Sequence, residues 1–327
     1  MKLSIVIICW NDLKVIDDCL RSIYAGTHQV APFEVIVSDN GSTDGSVEFI
    51  RERYPQVQVI ENRQNLGFAR GNNVGIKAST GEWVHILNPD TVVHEGALDR
   101  MVAFAERHPE AGAVGCRVLN PDGSYQISAR PFPSVRGSWL AALYLRPLGY
   151  LADVLTPDYY TGWNGDTERV VDWQSGCCVM FRGSLLRQLG GFDEQFFYQY
   201  EEVDLCYRVR NAGYTVRFTP EATITHLGGQ SVGRFRLRFE IEKHRNRYRY
   251  FYKHFGPSGA RRIRRASLAW IRVRQLGYSV KRLFKSDEAI TSRLAMYKVV
   301  ADWNSRLDPV RLVEQGQEPP LPSEATS

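Results

Sequence analysis

The chain opens on an unbroken apolar run, residues 3–10, rich in Ile and Val, the pattern of a strand covered on both faces. Asn11 and Asp12 follow as candidate caps. Apolar positions at Val15, Ile16, Cys19, Leu20 and Ile23 then step by three and four along one helix face. The same alternation repeats. Strands are predicted at residues 33–37, 57–60 and 82–87, separated by a short helix through Val47 and Ile50 and a longer one over residues 67–78. Ser42 and Asp44 are candidate caps for the short helix, and Tyr54-Pro55 stops it. A helix over residues 97–106 and a strand over 113–119 extend the series. Strands alternating with helices over short connections predict a mostly parallel sheet with right-handed crossovers.

The alternation fails at residues 121–166, rich in Pro, Gly, Tyr and Trp, where only a short helix around residues 139–145 is expected. Order returns with a strand segment over residues 170–181 and a helix near 183–189. A helix beginning near Glu201 follows, with Gly213 where a helix-ending glycine belongs. Two short strands are predicted, at residues 214–218 and 222–226. In the last third, Ile263, Ala266, Trp270, Val273, Gly277, Val280 and Phe284 form an apolar helical stripe flanked by arginines. Residues after about Asp308, ending in PPLPSEATS, read as disordered. The expected organisation is therefore a domain over residues 1–232, a basic amphipathic helical region over 233–307 and a tail over 308–327. Within the domain, residues 1–120 would form a nucleotide-binding half and 121–232 an acceptor half.

At 327 residues, 43% hydrophobic and 24% charged, the composition is that of a globular protein with a sizeable core. No run of about 18 apolar residues is present, and the N-terminus reads as a core strand, not a signal peptide. The six cysteines lie mostly inside apolar segments without a Cys-x-x-Cys pair, which predicts buried free thiols in a reducing cytoplasm. The net charge of +5 conceals an asymmetry: residues 234–285 hold 17 Lys or Arg against Glu240 and Glu242. The two parts face different partners.

Candidate chemistry lies where strands end. In an open parallel sheet, ligands bind outside the carboxyl ends of the strands. Four polar segments fall there: Trp10-Asn11, then Asp39-Asn40-Gly41-Ser42-Thr43-Asp44, then Asn65-Leu66-Gly67-Phe68-Ala69-Arg70 running on to Asn73, and Asn88-Pro89-Asp90. Each alone is an ordinary turn. Together they have the geometry of a nucleotide site, without the G-x-G-x-x-G fingerprint of a dinucleotide dehydrogenase. Asn88 and Asp90 at its edge offer oxygen ligands to Mg²⁺ or Mn²⁺, which would neutralise a diphosphate leaving group. Glu201, Glu202 and Asp204 begin a helix behind the aromatic segment FDEQFFYQY, which would desolvate a carboxylate and raise its pKa. The simpler role for those acids is compensation of the helix dipole.

The order of VIICWN, SDNGSTDGS, NLGFARGNN, LNPDT, DWQSGCCVMFR, GGFDEQFFYQYEEVDLCYR and ITHLGGQS resembles the family 2 glycosyltransferases of GT-A fold, and within them the rhamnosyltransferase group. The resemblance spans about residues 3 to 232. It implies donor binding by Asn11, Asp39, Asn40, Asp44, Asn65, Gly67, Arg70, Asn73 and Asn88, with Asp39 at the base or ribose. Asp90 stands at the last position of the family's D-x-D metal motif, where Asn88 replaces the first Asp, and His226 would be the second protein ligand. Glu202 falls at the catalytic base, with Glu201 and Asp204 holding it or the acceptor, and Trp173 and Gln174 beside the acceptor. The implied reaction is inverting transfer without a covalent intermediate. The donor implied is dTDP-rhamnose, with UDP-galactofuranose, UDP-GlcNAc and UDP-glucose as alternatives, and the acceptor is a lipid-linked glycan.

The basic helix is expected to lie on the anionic inner face of the cytoplasmic membrane, making the protein cytoplasmic and peripheral. Packing of the same stripe on the catalytic domain, or on a second copy in a homodimer, is the competing expectation. A nucleic-acid partner is not expected, because no binding module accompanies the charge. A catalytically silent or nucleotidyltransferase-like sugar-nucleotide binder is the remaining rival.

Overall fold

The structure, a computed structural model, describes residues 1–30, 32–143, 160, 162–228, 236–285 and 287–320. The chain divides into two compact units, Met1–Phe132 with Trp163–Gly228, and Pro133–Gly162 with Gly229–Ser327.

The first unit is a sheet flanked by helices. Its strands are β1 (Leu3–Cys9), β2 (Glu34–Asp39), β3 (Gln58–Glu61), β4 (Trp83–Leu87), β5 (Thr91–Val93), β6 (Ala111–Leu119), β7 (Tyr125–Gln126), β9 (Arg169–Val171), β11 (Cys178–Arg182) and β12 (Thr215–His226). The main path runs β3-β2-β1-β4-β11-β6-β12-β5. β1 pairs parallel with β2 and β4, β2 with β3, and β6 with β12. β11 enters antiparallel between β4 and β6. Since it opposes both neighbours, β4 and β6 run the same way, and the sheet is mixed but mostly parallel. A small second sheet pairs β8 (Ala129–Arg130) with β10 (Trp173–Gln174).

Six of the seven β1 residues are buried, and β4 is buried throughout, as strands covered by helices on both faces must be. α1 (Leu13–Gly26) buries Val15, Ile16, Cys19, Leu20 and Ile23, the expected face. α2 (Ser46–Arg53), α3 (Gly67–Ala78) and α4 (Ala97–Arg107) complete the βα alternation. α3 lies unusually close to β1. A Cβ on Gly71 would come within 2.5 Å of Ile8 Cδ1, and one on Gly75 within 2.4 Å of Val6 Cγ1. Two glycines four residues apart let the helix backbone settle on the strand.

Three local expectations change. The segment over residues 170–181 is not one strand; it breaks at Asp172 and again in the turn through Ser175, Gly176 and Cys177. The two strands expected at 214–218 and 222–226 are one, β12, with a register irregularity between Thr219 and Thr223 around Pro220. Pro cannot donate to the ladder, and the strand accommodates it by a bulge. The α1 cap also differs. Asp44 Oδ2 accepts from Leu13 N–H at 3.0 Å, while the Asp12 carboxylate turns back to Trp10 N–H at 2.8 Å. α6 (Gly183–Gln188) and α7 (Glu201–Asn211) close the unit.

The second unit is helical. α5 (Val135–Ala142) is capped by Ser134, whose hydroxyl accepts from Gly137 N–H. It belongs with the C-terminal helices and not with the sheet: the units divide at Gly228, close to the expected boundary near residue 232, but Pro133–Gly162, expected in the first domain, falls in the second unit. α8 (Arg236–Phe284) is interrupted at Gly256, which takes φ 68° before Pro257. α9 (Glu288–Arg306) packs against it. Ile263, Ala266 and Ile271 of α8 are buried, as are Leu294, Val300 and Trp303 of α9. Asn304 Nδ2 donates to the Tyr248 hydroxyl at 2.6 Å, and Arg264 donates to the Asn304 and Ser305 carbonyls. As far as Ile271 the helix is covered within the helical unit, by α9, and not by the catalytic domain as the competing expectation had it.

The tail expected to be disordered from Asp308 contains a helix, α10 (Pro309–Gln315). Asp308 accepts from Val310 N–H, Pro309 occupies the first turn, and Gly316 closes the helix in the left-handed region. Val310 and Leu312 are buried, and Glu318 pairs with Arg245. Residues 321–327 of the expected tail lie outside the described residues.

Candidate active site

Sheet register brings the polar strand ends together. Cys9 lies opposite Asp39, and Asp39 opposite Glu61. Ile7 pairs with Leu87, so Asn88 and Asp90 follow at the same edge. β12 runs parallel to β6, and His226 ends it beside Thr91 on β5. β1, β2, β3, β4 and β12 deliver their carboxyl ends to one side, where the antiparallel β5 begins.

The donor-side residues hold one another. Asp39, 2% exposed, accepts from Gly41 and Ser42 N–H and fixes the turn after β2. Asn11 sits at φ 58° and its Oδ1 accepts from Thr43 N–H at 2.8 Å, tying the ends of β1 and β2. Asp44 spans two helices, accepting from Leu13 and Ser46 N–H. Asn40 Nδ2 donates to the Gly67 carbonyl, and Asn65 Oδ1 accepts from Gly67 N–H. Gly67 takes φ 77° with the Phe197 ring so close that a Cβ would lie 2.6 Å from it. Asn73 is buried and exchanges hydrogen bonds with both backbone groups of Phe192. Arg70 is exposed and meets Glu194 at 3.3 Å. Asn11, Asp39, Asp44 and Asn65 thus brace the turns at the strand ends, and Asn73 is buried against Phe192.

Asp90 and His226 meet at the mouth of β4, with His226 Nε2 3.2 Å from Asp90 Oδ1. His226 Nδ1 stands 2.9 Å from Gln126 Oε1. In a neutral imidazole the proton is then on Nδ1, and Nε2 presents its lone pair towards Asp90. Asn88 Nδ2 approaches the same Nε2 at 3.4 Å, and Asn88 Oδ1 is buried without a partner. Two acceptor atoms facing each other at 3.2 Å suit a cation. Ligands about 2.1 Å from an octahedral Mg²⁺ stand about 3 Å apart. Among the described residues no group of three His, Cys, Asp or Glu could hold a metal, so the pair would leave most coordination positions to other oxygens.

Charge supports the same reading. Burial pushes the Asp12 carboxyl up to about 6, with Asp90, Asp44 and Asp39 adding repulsion against the relief from Trp10 N–H. An anionic diphosphate entering beside these carboxylates requires a counter-cation. The sequence offered Asp12 only as a helix cap; its electrostatic place beside Asp90 follows from its turning away from the helix.

The acidic cluster stands at the start of α7. Gln199 and Tyr200 precede it at φ 65° and 76°, a strained turn for non-glycine residues. Glu201 is 4% exposed, and burial followed by the neighbouring Glu202 charge pushes its carboxyl well above the usual range. Burial raises Glu202 to about 7, against partial relief from backbone N–H groups, including that of Gly176. Each has a buried Oε2 without a partner. Asp204 differs: it is fully buried and bound to Arg208 at 2.8 Å, which also donates to the Leu189 and Gly191 carbonyls. Its geometry is structural, anchoring α7.

One turn joins the two halves of the site. Gly176 N–H serves Glu202, and the next residue's carbonyl, on Cys177, accepts from Asn88 N–H at 3.0 Å. Tyr198, largely buried, feels the charges of Glu201, Glu202 and Asp90 together. Sequence reasoning counted Tyr198 only among desolvating aromatics and placed Gln126 in an irregular stretch; both acquire their place through β7 and the turn before α7. Trp173 is half-buried, its indole donating to the Pro131 carbonyl at 2.8 Å. Gln174 is wholly buried over Gly115, where a Cβ would lie 2.1 Å from its carboxamide carbon. The structure places Gln174 in the core and not on the crevice.

The arrangement gathers polar strand ends, the Asp90–His226 pair and the raised Glu202 carboxyl on connected turns. Comparison with known proteins gives the chemistry a family. The sequence profile of glycosyl transferase family 2 matches residues 4–189. An N-acetylglucosaminyl-diphospho-decaprenol L-rhamnosyltransferase of Mycobacterium tuberculosis is 35% identical over 245 residues, 71% of this chain and 78% of the relative. A low-salt glycan biosynthesis hexosyltransferase of Haloferax volcanii is 25% identical over 65% of this chain and 63% of its own. In fold, the chain is similar to a mannosyltransferase from Pyrobaculum calidifontis solved with GDP-Man and Mn²⁺, at TM-score 0.57 and 17% identity over 97% of this chain and 88% of that one. The protein belongs to glycosyltransferase family 2 and is a glycosyltransferase of GT-A fold.

Proposed function

We propose that the protein transfers L-rhamnose from dTDP-rhamnose, with inversion, to a lipid-linked glycan acceptor, in a reaction that depends on Mg²⁺ or Mn²⁺. The observation that carries the reading is Glu202, a carboxylate raised to about 7 and linked through Gly176 and Cys177 to the Asn88–Asp90 turn. A base near the operating pH is both available and strong enough to take a hydroxyl proton.

In this reading the crevice of Asn11, Asp39, Asn40 and Asp44 receives the nucleotide, with Arg70 at its rim. Asp90 and His226 hold the divalent ion, with Asn88 turned to the same place. The ion neutralises the diphosphate when bound. Glu202 accepts the proton of the acceptor hydroxyl as that oxygen forms its bond to the anomeric carbon. The bond to the diphosphate breaks on the opposite face, so configuration inverts and the proton remains on Glu202. Glu201, its carboxyl pushed up by burial and by the Glu202 charge, stands beside the base to hold it or the acceptor. The choice of rhamnose, and of an acceptor built on a lipid diphosphate, draws on the Mycobacterium tuberculosis relative, which bears those words in its name.

A donor panel tests the proposal. Purified protein with Mn²⁺ or Mg²⁺ and N-acetylglucosaminyl-diphospho-lipid should consume dTDP-rhamnose in preference to UDP-galactofuranose, UDP-GlcNAc and UDP-glucose, and EDTA should stop it. Preferential turnover of a UDP-sugar would replace the donor, and turnover unaffected by EDTA would remove the ion from the reading.

A further inference from the structure

The apolar side chains of α8 change surroundings along its length. Ile263, Ala266 and Ile271 are covered by protein, but Leu276, Val280, Leu283 and Phe284 emerge into solvent, the last two 81% and 86% exposed. Lys281, Arg282 and Lys285 are exposed among them. From Arg272 to Lys285 there are five cations and no acid. A cleft of about 520 Å³ opens between this end of α8 and the start of α9, walled by Tyr278, Val280, Phe284 and Ile290, with Lys281, Lys285 and Arg293 at its edge. The acids next in sequence are Glu288, which is exposed, and Asp287; Asp287 caps Ala289 N–H and stands 3.5 Å from Lys285.

We propose that this tip of the second unit docks on an anionic phospholipid bilayer, Leu283 and Phe284 entering the headgroup layer while Lys281, Arg282 and Lys285 meet lipid phosphates. Protruding apolar side chains ringed by cations are the chemical complement of that surface. Charge complementarity also selects the occupant. Two copies meeting tip to tip would face Lys281, Arg282 and Lys285 against their own kind, which opposes a symmetric dimer here. The contact belongs to the α8–α9 end and not to the whole basic helix, whose middle is committed to α9. The inference stands apart from the catalytic reading, since it concerns partition and not turnover.

Flotation of the full-length protein with vesicles of phosphatidylcholine, and of phosphatidylcholine with about one third phosphatidylglycerol, tests it. Binding should require the anionic lipid and fall as salt rises. Each cation at such a surface is worth roughly fivefold in partition, so K281E/R282E/K285E should lose on the order of a hundredfold or more. L283S/F284S should lose at least about tenfold while keeping the wild-type circular dichroism and melting curve. R261E/R262E, which reverses two exposed cations in the middle of α8, should retain binding within about threefold. Equal binding to both vesicles, or equal loss from R261E/R262E and K281E/R282E/K285E, would overturn the proposal. So would a wild-type dimer dispersed by L283S/F284S in the absence of vesicle binding.

Discussion

At the scale of single residues, the site is governed by which carboxylates are left unpaired. Asp204 and Glu202 stand two positions apart on α7, yet Asp204 is bound to Arg208 and Glu202 retains an oxygen without a partner. Their roles diverge for that reason. The sequence showed three acids opening a helix; it could not show which would meet an arginine, because that depends on the Leu189 and Gly191 carbonyls orienting Arg208. Glu202 also makes a prediction about stability. Its folded pKa, about 7, lies above the unfolded carboxylate value, so the folded state holds the proton more tightly. Its contribution is fully favourable below the unfolded value and is lost as pH rises through about 7. Glu202→Gln should therefore raise stability at pH 8 by between about 1 and 3 kcal/mol and leave it unchanged near pH 4. Melting temperatures at the two pH values check this, and equal effects at both would deny that the carboxylate is buried. If Asp90 and His226 hold the ion as proposed, Gln126→Ala should free the His226 ring and weaken Mn²⁺ binding by roughly tenfold or more, read by calorimetry with nucleotide present.

Elements position these residues through close packing. Gly71 and Gly75 let α3 approach β1, and the same helix carries Gly67 and Phe68 to the crevice. Gly75→Ala should cost about 1–3 kcal/mol by denaturant melting, because Val6 on a buried strand cannot withdraw. An unchanged midpoint would mean that α3 moves away at no cost. The strands β1 to β4 were legible because burial on both faces writes an uninterrupted apolar run and each following helix writes its own period. β10 was less so. Trp173 and Gln174 form a two-residue strand whose facing is set by pairing with β8, 44 positions earlier, and no local pattern records that Gln174 fills the space above Gly115. β12 was read as two strands for a local reason that tertiary pairing overrode: Pro220 interrupts the ladder, but β6 remains alongside on both sides of it.

For the whole molecule, the division into a sheet unit and a helical unit follows the change in charge along the chain only approximately. α5 joins the helical unit although it lies between segments of the sheet unit in sequence. Contacts between distant segments decided this, and the composition of residues 121–166 gave no sign of it. α10 had visible signals, Asp308-Pro309 at one end and Gly316 at the other, outweighed in composition by the polar, proline-rich end that follows. Leu312→Ala should destabilise the helical unit by about 2–4 kcal/mol, seen as a lower thermal midpoint, since Leu312 is buried. A midpoint unchanged from wild type would show that α10 is not part of that unit's core. The sequence resemblance reached the family because its motifs lie at strand ends, where the sheet itself determines position; it could not by itself separate residues exposed at those ends, such as Arg70, from those, such as Asn73, that are buried against backbone.

The central claim is that Glu202 is the base in glycosyl transfer, and a single-turnover measurement tests it most directly. Wild type and Glu202→Gln are mixed with dTDP-rhamnose, Mn²⁺ and N-acetylglucosaminyl-diphospho-lipid between pH 5 and pH 9. Wild-type transfer should rise with pH through about 7, as Glu202 loses its proton, and then level. Glu202→Gln should bind dTDP-rhamnose within about threefold of wild type but transfer it at least about a hundredfold more slowly, without that pH dependence. Transfer by Glu202→Gln at a near wild-type rate, with the same pH profile, would contradict the account.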